Sequence, residues 1–366
     1  MDTGWQRRFN SNNLPVLIPT VPKYGSIKKY LKRLDKSRIY SNFGPLNSEL
    51  IFRLSNYLGV PELNIQTAAN ATLALEGAIR TSGSSIEGWE MPSWTFAATP
   101  HAANSAGINY KFVDISQDSW RAEFSSDCVN AIDVLPFGDE LNLDRVPGQV
   151  ETIIVDGAAS ISALRNCGLP RLKNFGLIVS MHATKSLPAG EGAFFVTNSD
   201  TWSKKFRQWT NFGFDENRYA YFQASNAKLS EYSAAVALAS LDEFDKVQRA
   251  IRVQSALALD ITESIGLSTH PAMKKGFSSP YWVVKFNSRR EKERAALNFK
   301  SIGVGVRDWW GMGCHKQKAF IEVPKESLVN TEEIAETTLG LPFHLSLTKS
   351  DMNLISNTLK KALFTD

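Results

Sequence analysis

One lysine in this chain stands where an amine can do covalent chemistry. Lys185 lies in the connection Ser180-Met181-His182-Ala183-Thr184-Lys185-Ser186-Leu187-Pro188-Ala189-Gly190-Glu191-Gly192, flanked by apolar runs at 177–179 and 193–196. Short apolar runs bounded by turn residues read as buried strands, so the lysine is held between two rigid elements. Burial of an amine disfavours its ammonium form and exposes the nucleophilic lone pair, as formation of a Schiff base requires. A surface hairpin whose lysine only solvates the turn fits the same residues. Two further stretches bear on the choice. The run Glu151-Thr152-Ile153-Ile154-Val155-Asp156 is an apolar strand ending on a carboxylate, and ligands of open α/β sheets gather at the carboxyl ends of strands. Asp156 would equally serve as an N-cap for Gly157-Ala158-Ala159-Ser160. Ala69-Asn70-Ala71-Thr72 opens a helix with small and capping residues. Its backbone N–H groups and dipole suit a phosphate, although an ordinary N-cap has the same composition.

The elements that must position these groups alternate along the chain. Residues 1–24 read as irregular, 26–35 as an amphipathic helix, and 41–45 as a turn before a second helix that Gly59 ends. Strands are expected at 63–68, 110–114, 131–135 and 151–156, a strand end running into a turn at 90–96, and helices at 73–80 and 99–106 between them. This rhythm predicts α/β architecture with a mixed, mostly parallel sheet. A helix at 202–210, a loop at 211–224 rich in Asn, Gly and Tyr, and a long helical region at 229–264, broken or bent near Asp245, come next. Beyond residue 280 the pattern predicts a strand at 281–286, a helix at 289–301, a strand at 319–323 and a helix at 348–363. The expected organisation is an N-terminal arm with a large α/β domain over 1–245 and a small C-terminal α+β domain over 246–366.

Composition narrows the class. The chain has 366 residues, 43% hydrophobic and 21% charged, which is ordinary for globular proteins and enough for a sizeable core. Forty-one basic and 37 acidic residues give a net charge of +4. That excess is too slight to argue for nucleic acid, but it suits an anionic small molecule. Cys128, Cys167 and Cys314 are far apart, which argues against a disulfide framework or a thiolate metal site and fits a reducing cytoplasm. Arg7 and Arg8 precede polar residues and Pro15 with no apolar run, and no stretch of 18 apolar residues occurs. Neither a signal peptide nor a membrane span is expected.

From about Ile39 onward, and most densely over 40–245, the chain resembles the DegT/StrS family of sugar aminotransferases, which are fold-type I pyridoxal phosphate (PLP) enzymes. Arg38-Ile39-Tyr40-Ser41-Asn42-Phe43-Gly44-Pro45 is similar to the family's opening, and Pro92-Ser93-Trp94-Thr95-Phe96 resembles its Pro-Ser-x-Thr-(Phe/Trp) segment. Ser180-Met181-His182-Ala183-Thr184-Lys185 with Gly190-Glu191-Gly192 looks like Ser-x-His-x-x-Lys followed by Gly-Glu-Gly. Asn226-Ala227-Lys228-Leu229-Ser230-Glu231 resembles Asn-x-Arg-(Met/Leu)-Ser-Glu. The order and spacing of these segments together are specific.

The resemblance implies roles for individual residues. Lys185 would attach the cofactor covalently and relay the proton, and Asp156 would pair with the pyridinium nitrogen, keeping the ring an electron sink. Phe96 would lie on the ring face, a position that simple core packing would also explain. Ser180 and the N–H groups of Ala71 and Thr72 would hold the phosphate, with Asn226 reaching it from the partner subunit. The implied assembly is therefore a homodimer with shared active sites. His182 is expected to be packed and hydrogen-bonded rather than acidic or basic. With Asn42, in the loop 40–45, and Lys228, which replaces an arginine and loses its bidentate geometry, it marks the expected substrate side. Two departures stand out. Ala71 replaces a glycine, which is harmless only if the turn is plain helical, and Ala159 replaces a glutamine that approaches cofactor or sugar. The implied reaction moves an amino group from L-glutamate, through pyridoxamine 5′-phosphate, to a nucleotide-linked keto-deoxysugar such as a dTDP-4-keto-6-deoxyhexose. Kinetics would be ping-pong. The product would feed a surface polysaccharide such as lipopolysaccharide O-antigen, or a glycoside. Two other readings are a PLP-dependent sugar dehydratase, whose branch carries histidine in place of the lysine, and a non-catalytic PLP-binding regulatory dimer. No metal, nucleic acid or membrane partner is expected.

Overall fold

The computed structural model describes residues 13–364; Arg7 and Arg8 lie outside them. Helix α1 (Tyr24–Ser37) buries Tyr30 and Leu34 on its apolar face and ends where Arg38 turns left-handed. Helix α2 (Pro45–Leu58) begins on a proline, whose missing N–H costs nothing at that position, and stops at Gly59 with φ +70°. Strand β1 (Ile65–Ala68), helix α3 (Ala71–Thr81), β2 (Trp89–Pro92), α4 (Ala98–Ala106), β3 (Tyr110–Val113), β4 (Asn130–Val134), β5 (Thr152–Asp156), β6 (Asn174–Ser180), β7 (Ala193–Thr197) and α5 (Asp200–Trp209) follow.

These strands form one seven-stranded sheet in the order β1-β7-β6-β5-β4-β2-β3. β7 alone runs against its neighbours, β1 and β6, and the remaining pairs are parallel. The central strands are buried on both faces, which is why they read as continuous apolar runs. Alternate residues serve two cores: Ile153 and Val155 pack with Leu177, Val179 and Phe194 on one side, and Ile154 packs with Ile178 and Phe195 on the other.

Helix α6 (Glu231–Glu263) is one unbroken 33-residue helix, which corrects the expected break near Asp245. No Gly or Pro interrupts residues 231–263, and Asp245 faces solvent between the buried Phe244 and Gln248. The helix divides its buried face instead. Ala234 to Phe244 join the core of the large sheet, whereas Ile251 and Ala258 join a separate core with Trp282, Phe299 and Ile355. Around that second core lie β8 (Ser268–Thr269), the single-turn α7 (Pro271–Lys274), β9 (Trp282–Lys285), α8 (Arg289–Ser301), α9 (Val329–Thr337), β10 (Thr338–Leu341) and α10 (Lys349–Phe364). The small sheet is antiparallel, in the order β10-β9-β8.

The strand expected at 319–323 is absent. Lys318–Phe320 is a 3₁₀ turn in which Phe320 is buried and Ile321 is 48% exposed. The sheet edge at Phe112 bonds instead to Pro324 O, 2.8 Å away. Apolar content there serves one anchor side chain rather than a ladder. β10, and not 319–323, completes the small sheet. The arm packs on this C-terminal unit, with Leu14 N donating to Gly303 O at 3.0 Å and Phe343 N to Val16 O at 3.0 Å.

Candidate active site

Because β1, β2, β4, β5 and β6 point the same way, their carboxyl ends share one edge of the sheet, and the residues just beyond them converge. Asn70 follows β1, Phe96 follows β2, Leu135 follows β4, Asp156 ends β5 and Ser180 ends β6. They line a cavity of about 620 Å³ together with Ala71, Thr72, His182, Lys185, Tyr281, Arg307, Trp309 and Trp310.

The lysine turn is held across the start of β7. Met181 N donates to Gly192 O and Ala183 N to Gly190 O, each at 2.8 Å. Gly190 adopts φ +84°, a conformation that favours glycine. Lys185 is half-buried rather than fully enclosed, and its Nζ donates to Tyr281 Oη at 2.9 Å. His182 is hydrogen-bonded, its Nδ1 lying 2.9 Å from Thr184 Oγ1 and its backbone N–H donating to Ser180 Oγ at 3.2 Å, but its side chain is 44% exposed rather than packed.

Asp156 is 7% exposed. It accepts from Thr99 Oγ1 at 2.8 Å and from the Ala158 N–H at 3.1 Å, both neutral donors. Burial pushes its carboxyl above the usual range, while Thr99, the Ala158 N–H and the Lys185 charge pull the other way. A buried carboxylate in that condition gains from a cationic N–H, which a protonated pyridine ring supplies. At Gly157, which follows it, a Cβ would press on the Leu177 side chain, 2.8 Å from its Cδ1.

Phe96 is 63% exposed, so core packing does not account for it; its ring is a free wall of the cavity. Asn70 caps α3 by accepting from Leu73 N at 2.9 Å. Ala71 and Thr72 precede the first intrahelical bond, and their N–H groups suit an anion. Ala71 is the first residue of the helix and is not among the positive-φ residues, so replacing glycine there causes no strain. Ala159 lies in an aromatic cluster with Trp94, Phe137, Tyr281 and Trp310, so the missing glutamine coincides with an apolar wall. A ring platform, a buried carboxylate, an anion-binding helix start and a reachable amine together fit PLP.

Three expected residues lie elsewhere. Asn226 and Lys228 do not line this chain's cavity; Lys228 Nζ donates to Asn226 Oδ1 at 2.6 Å and sits 4.5 Å from the Phe212 ring centroid. Asn42 is exposed, with φ +63°, beside Phe43, on which the Arg207 guanidinium stacks at 3.8 Å. Sequence reasoning missed Thr99 and Tyr281, and it named the loop 305–318 as part of the substrate pocket without singling out Arg307. Thr99 lies three residues after Phe96 and carried a readable signal, a hydroxyl just inside a helix. Tyr281 comes from a distant segment and carried none.

A family model described as "DegT/DnrJ/EryC1/StrS aminotransferase family" matches residues 24–127 and 153–360. The chain is 24% identical to a dTDP-4-amino-4,6-dideoxy-D-glucose transaminase of Shigella dysenteriae, over 95% of this chain and 99% of that one. The structure of DesI with its TDP-sugar product superposes with a TM-score of 0.85 at 25% identity, over 97% and 94% of the two chains. A protein of Bacillus cereus ATCC 10987, proposed to be a PLP-dependent aminotransferase, superposes with a TM-score of 0.84 at 26% identity, over 95% and 99%. The chain therefore belongs to the DegT/DnrJ/EryC1/StrS aminotransferase family and is a PLP-dependent transaminase.

Proposed function

We propose that the enzyme transfers the amino group of L-glutamate to a nucleotide-linked keto-deoxysugar, with a dTDP-4-keto-6-deoxyhexose as the preferred acceptor. The observation that carries this reading is one cavity holding Lys185, Asp156, the exposed face of Phe96 and the start of α3. PLP supplies an electron sink for the carbon that loses its proton. Lys185 would attach the cofactor and move that proton. Asp156 would pair with the ring nitrogen, Phe96 would support the ring, and Ser180 with the Ala71 and Thr72 N–H groups would hold the phosphate. The apolar part of the lining, Leu17, Val134, Leu135, Phe137, Trp309 and Trp310, suits the deoxygenated carbons of a 6-deoxyhexose, and the Shigella relative and DesI both handle dTDP- or TDP-sugars by name.

The active unit of this proposal is a homodimer. Asn226 and Lys228 lie off their own cavity, with Lys228 beside the exposed Phe212 ring, so a second copy is the natural recipient of both. Mixing Lys185→Ala and Asn226→Ala variants tests this: restored activity supports shared sites, and none argues for independent ones. The cysteines are unpaired and no helix of the described residues is long and apolar enough to cross a membrane, which supports a cytoplasmic setting.

Lys185 favours amino transfer over the dehydratase reading, whose branch lacks that amine by resemblance. Incubation with PLP and glutamate, followed by a panel of keto-sugar nucleotides, tests the proposal. A shift of cofactor absorbance to the amine form, reversed by a keto-deoxysugar nucleotide, is the expected result. Intact PLP binding with no spectral change would favour a binding-only dimer.

A further inference from the structure

Tyr281 occupies the residue before β9, in the C-terminal unit, yet its hydroxyl meets the lysine of the large sheet's turn. Its backbone is pinned on both sides. The Tyr281 N–H donates to Ser279 Oγ at 3.1 Å, and its carbonyl oxygen lies 3.0 Å from His270 Nε2. The ring stands edge-on to Trp309 at 4.8 Å and to Phe137 at 5.7 Å, and the residue is 7% exposed. A phenylalanine would pack against those rings equally well. The hydroxyl is the one atom the apolar wall does not require, and it is the atom that touches Lys185.

We propose that Tyr281 is a positioning residue for Lys185: its rigid hydroxyl oxygen holds the lysine amine whenever that amine is not covalently engaged, and so fixes where its lone pair points. The inference rests on the role proposed above for Lys185. A lysine has four rotatable methylene bonds and many conformers to lose. An amine that donates one N–H to a fixed acceptor searches few of them, and its lone pair stays directed at the cavity. Such preorganisation accelerates both the capture of PLP and the proton transfer that follows it.

The test compares wild-type protein with Tyr281→Phe and with 4-fluorophenylalanine placed at 281, which fills the volume of the hydroxyl with a far weaker acceptor that cannot ionise. The readouts are the equilibrium PLP affinity, the stopped-flow rate of PLP capture by cofactor-stripped protein, and the single-turnover rate with glutamate. In Tyr281→Phe the affinity and the glutamate dependence should stay within about twofold. Both rates should fall about three- to tenfold, the equivalent of losing a hydrogen bond to a neutral amine. The 4-fluorophenylalanine protein should be slowed to a similar extent. Rates within about twofold of wild type in Tyr281→Phe overturn the proposal. If that variant loses its near-UV circular dichroism, wild-type rates in the 4-fluorophenylalanine protein overturn it instead. Borohydride reduction and peptide mass spectrometry separate the two readings. PLP fixed on Lys185 with unaltered rates sinks only the Tyr281 role, whereas PLP fixed on another lysine sinks both.

Discussion

Glu231 and Asp156 are both carboxylates taken out of water. Glu231 is fully buried and accepts from the Leu46 and Asn47 N–H groups at 2.7 and 2.9 Å, at the start of α2. Those donors belong to the orphan N–H groups of a helix N-terminus, where the dipole also favours negative charge. Asp156 receives one hydroxyl and one N–H and opens onto the cavity. The first carboxylate is satisfied by the fold and ties α6 to α2. The second is left wanting a cation, as a cofactor partner must be. Burial alone does not mark a functional carboxylate; incomplete satisfaction facing a cavity does.

Four substitutions sharpen or break this contrast. Lys185→Ala should lower transamination at least about 10³-fold while leaving the unfolding transition in denaturant unmoved, because the side chain anchors no core. Asp156→Asn should lower the rate roughly 10²-fold and, unlike any change at Glu231, stabilise the cofactor-free protein at neutral pH. The sign follows from the folded-state pKa of Asp156, which burial raises above the ordinary carboxyl value of 3.8. Its stabilising contribution is complete below that ordinary value and is lost as pH rises through the folded value. The advantage of Asn should therefore vanish below about pH 3.8, and a variant destabilised at pH 7 would show that Asp156 is structural after all. Glu231→Ala should cost roughly 2–4 kcal/mol in chemical denaturation by stranding two buried N–H groups, with turnover per folded molecule within about twofold. Phe96→Ala should weaken PLP binding by about 0.5–1.5 kcal/mol with no loss of stability, measured by PLP titration, since the ring is already 63% exposed.

The strands and their carboxyl-end residues were legible because a doubly buried strand must be continuously apolar and must end where the chain turns polar. Gly59 as a helix stop, Asn70 as a cap and the turn around Lys185 were legible for the same local reason. The continuity of α6 was not, because an exposed Asp245 looks like punctuation until its solvent face is known. The apolar residues 319–323 misled because composition does not tell one buried anchor, Phe320, from a paired strand, and neither α9 nor β10, which abut with no turn residue between them, was legible.

The sequence by itself determined the chemistry on offer: a lysine in a tight turn, an aspartate at a strand end, a capped helix start, and their order along the chain. Those are local properties, set by residue type and by hydrophobic period. Only the tertiary structure decided that Phe96 is a free ring face, that Ala71 is unstrained, that Ala159 faces an aromatic wall, and that Lys228 lies off its own cavity beside Phe212. It alone brought Tyr281 to Lys185 across 96 residues. Such contacts depend on how two separately built cores pack against each other, and no pattern within either segment encodes that packing.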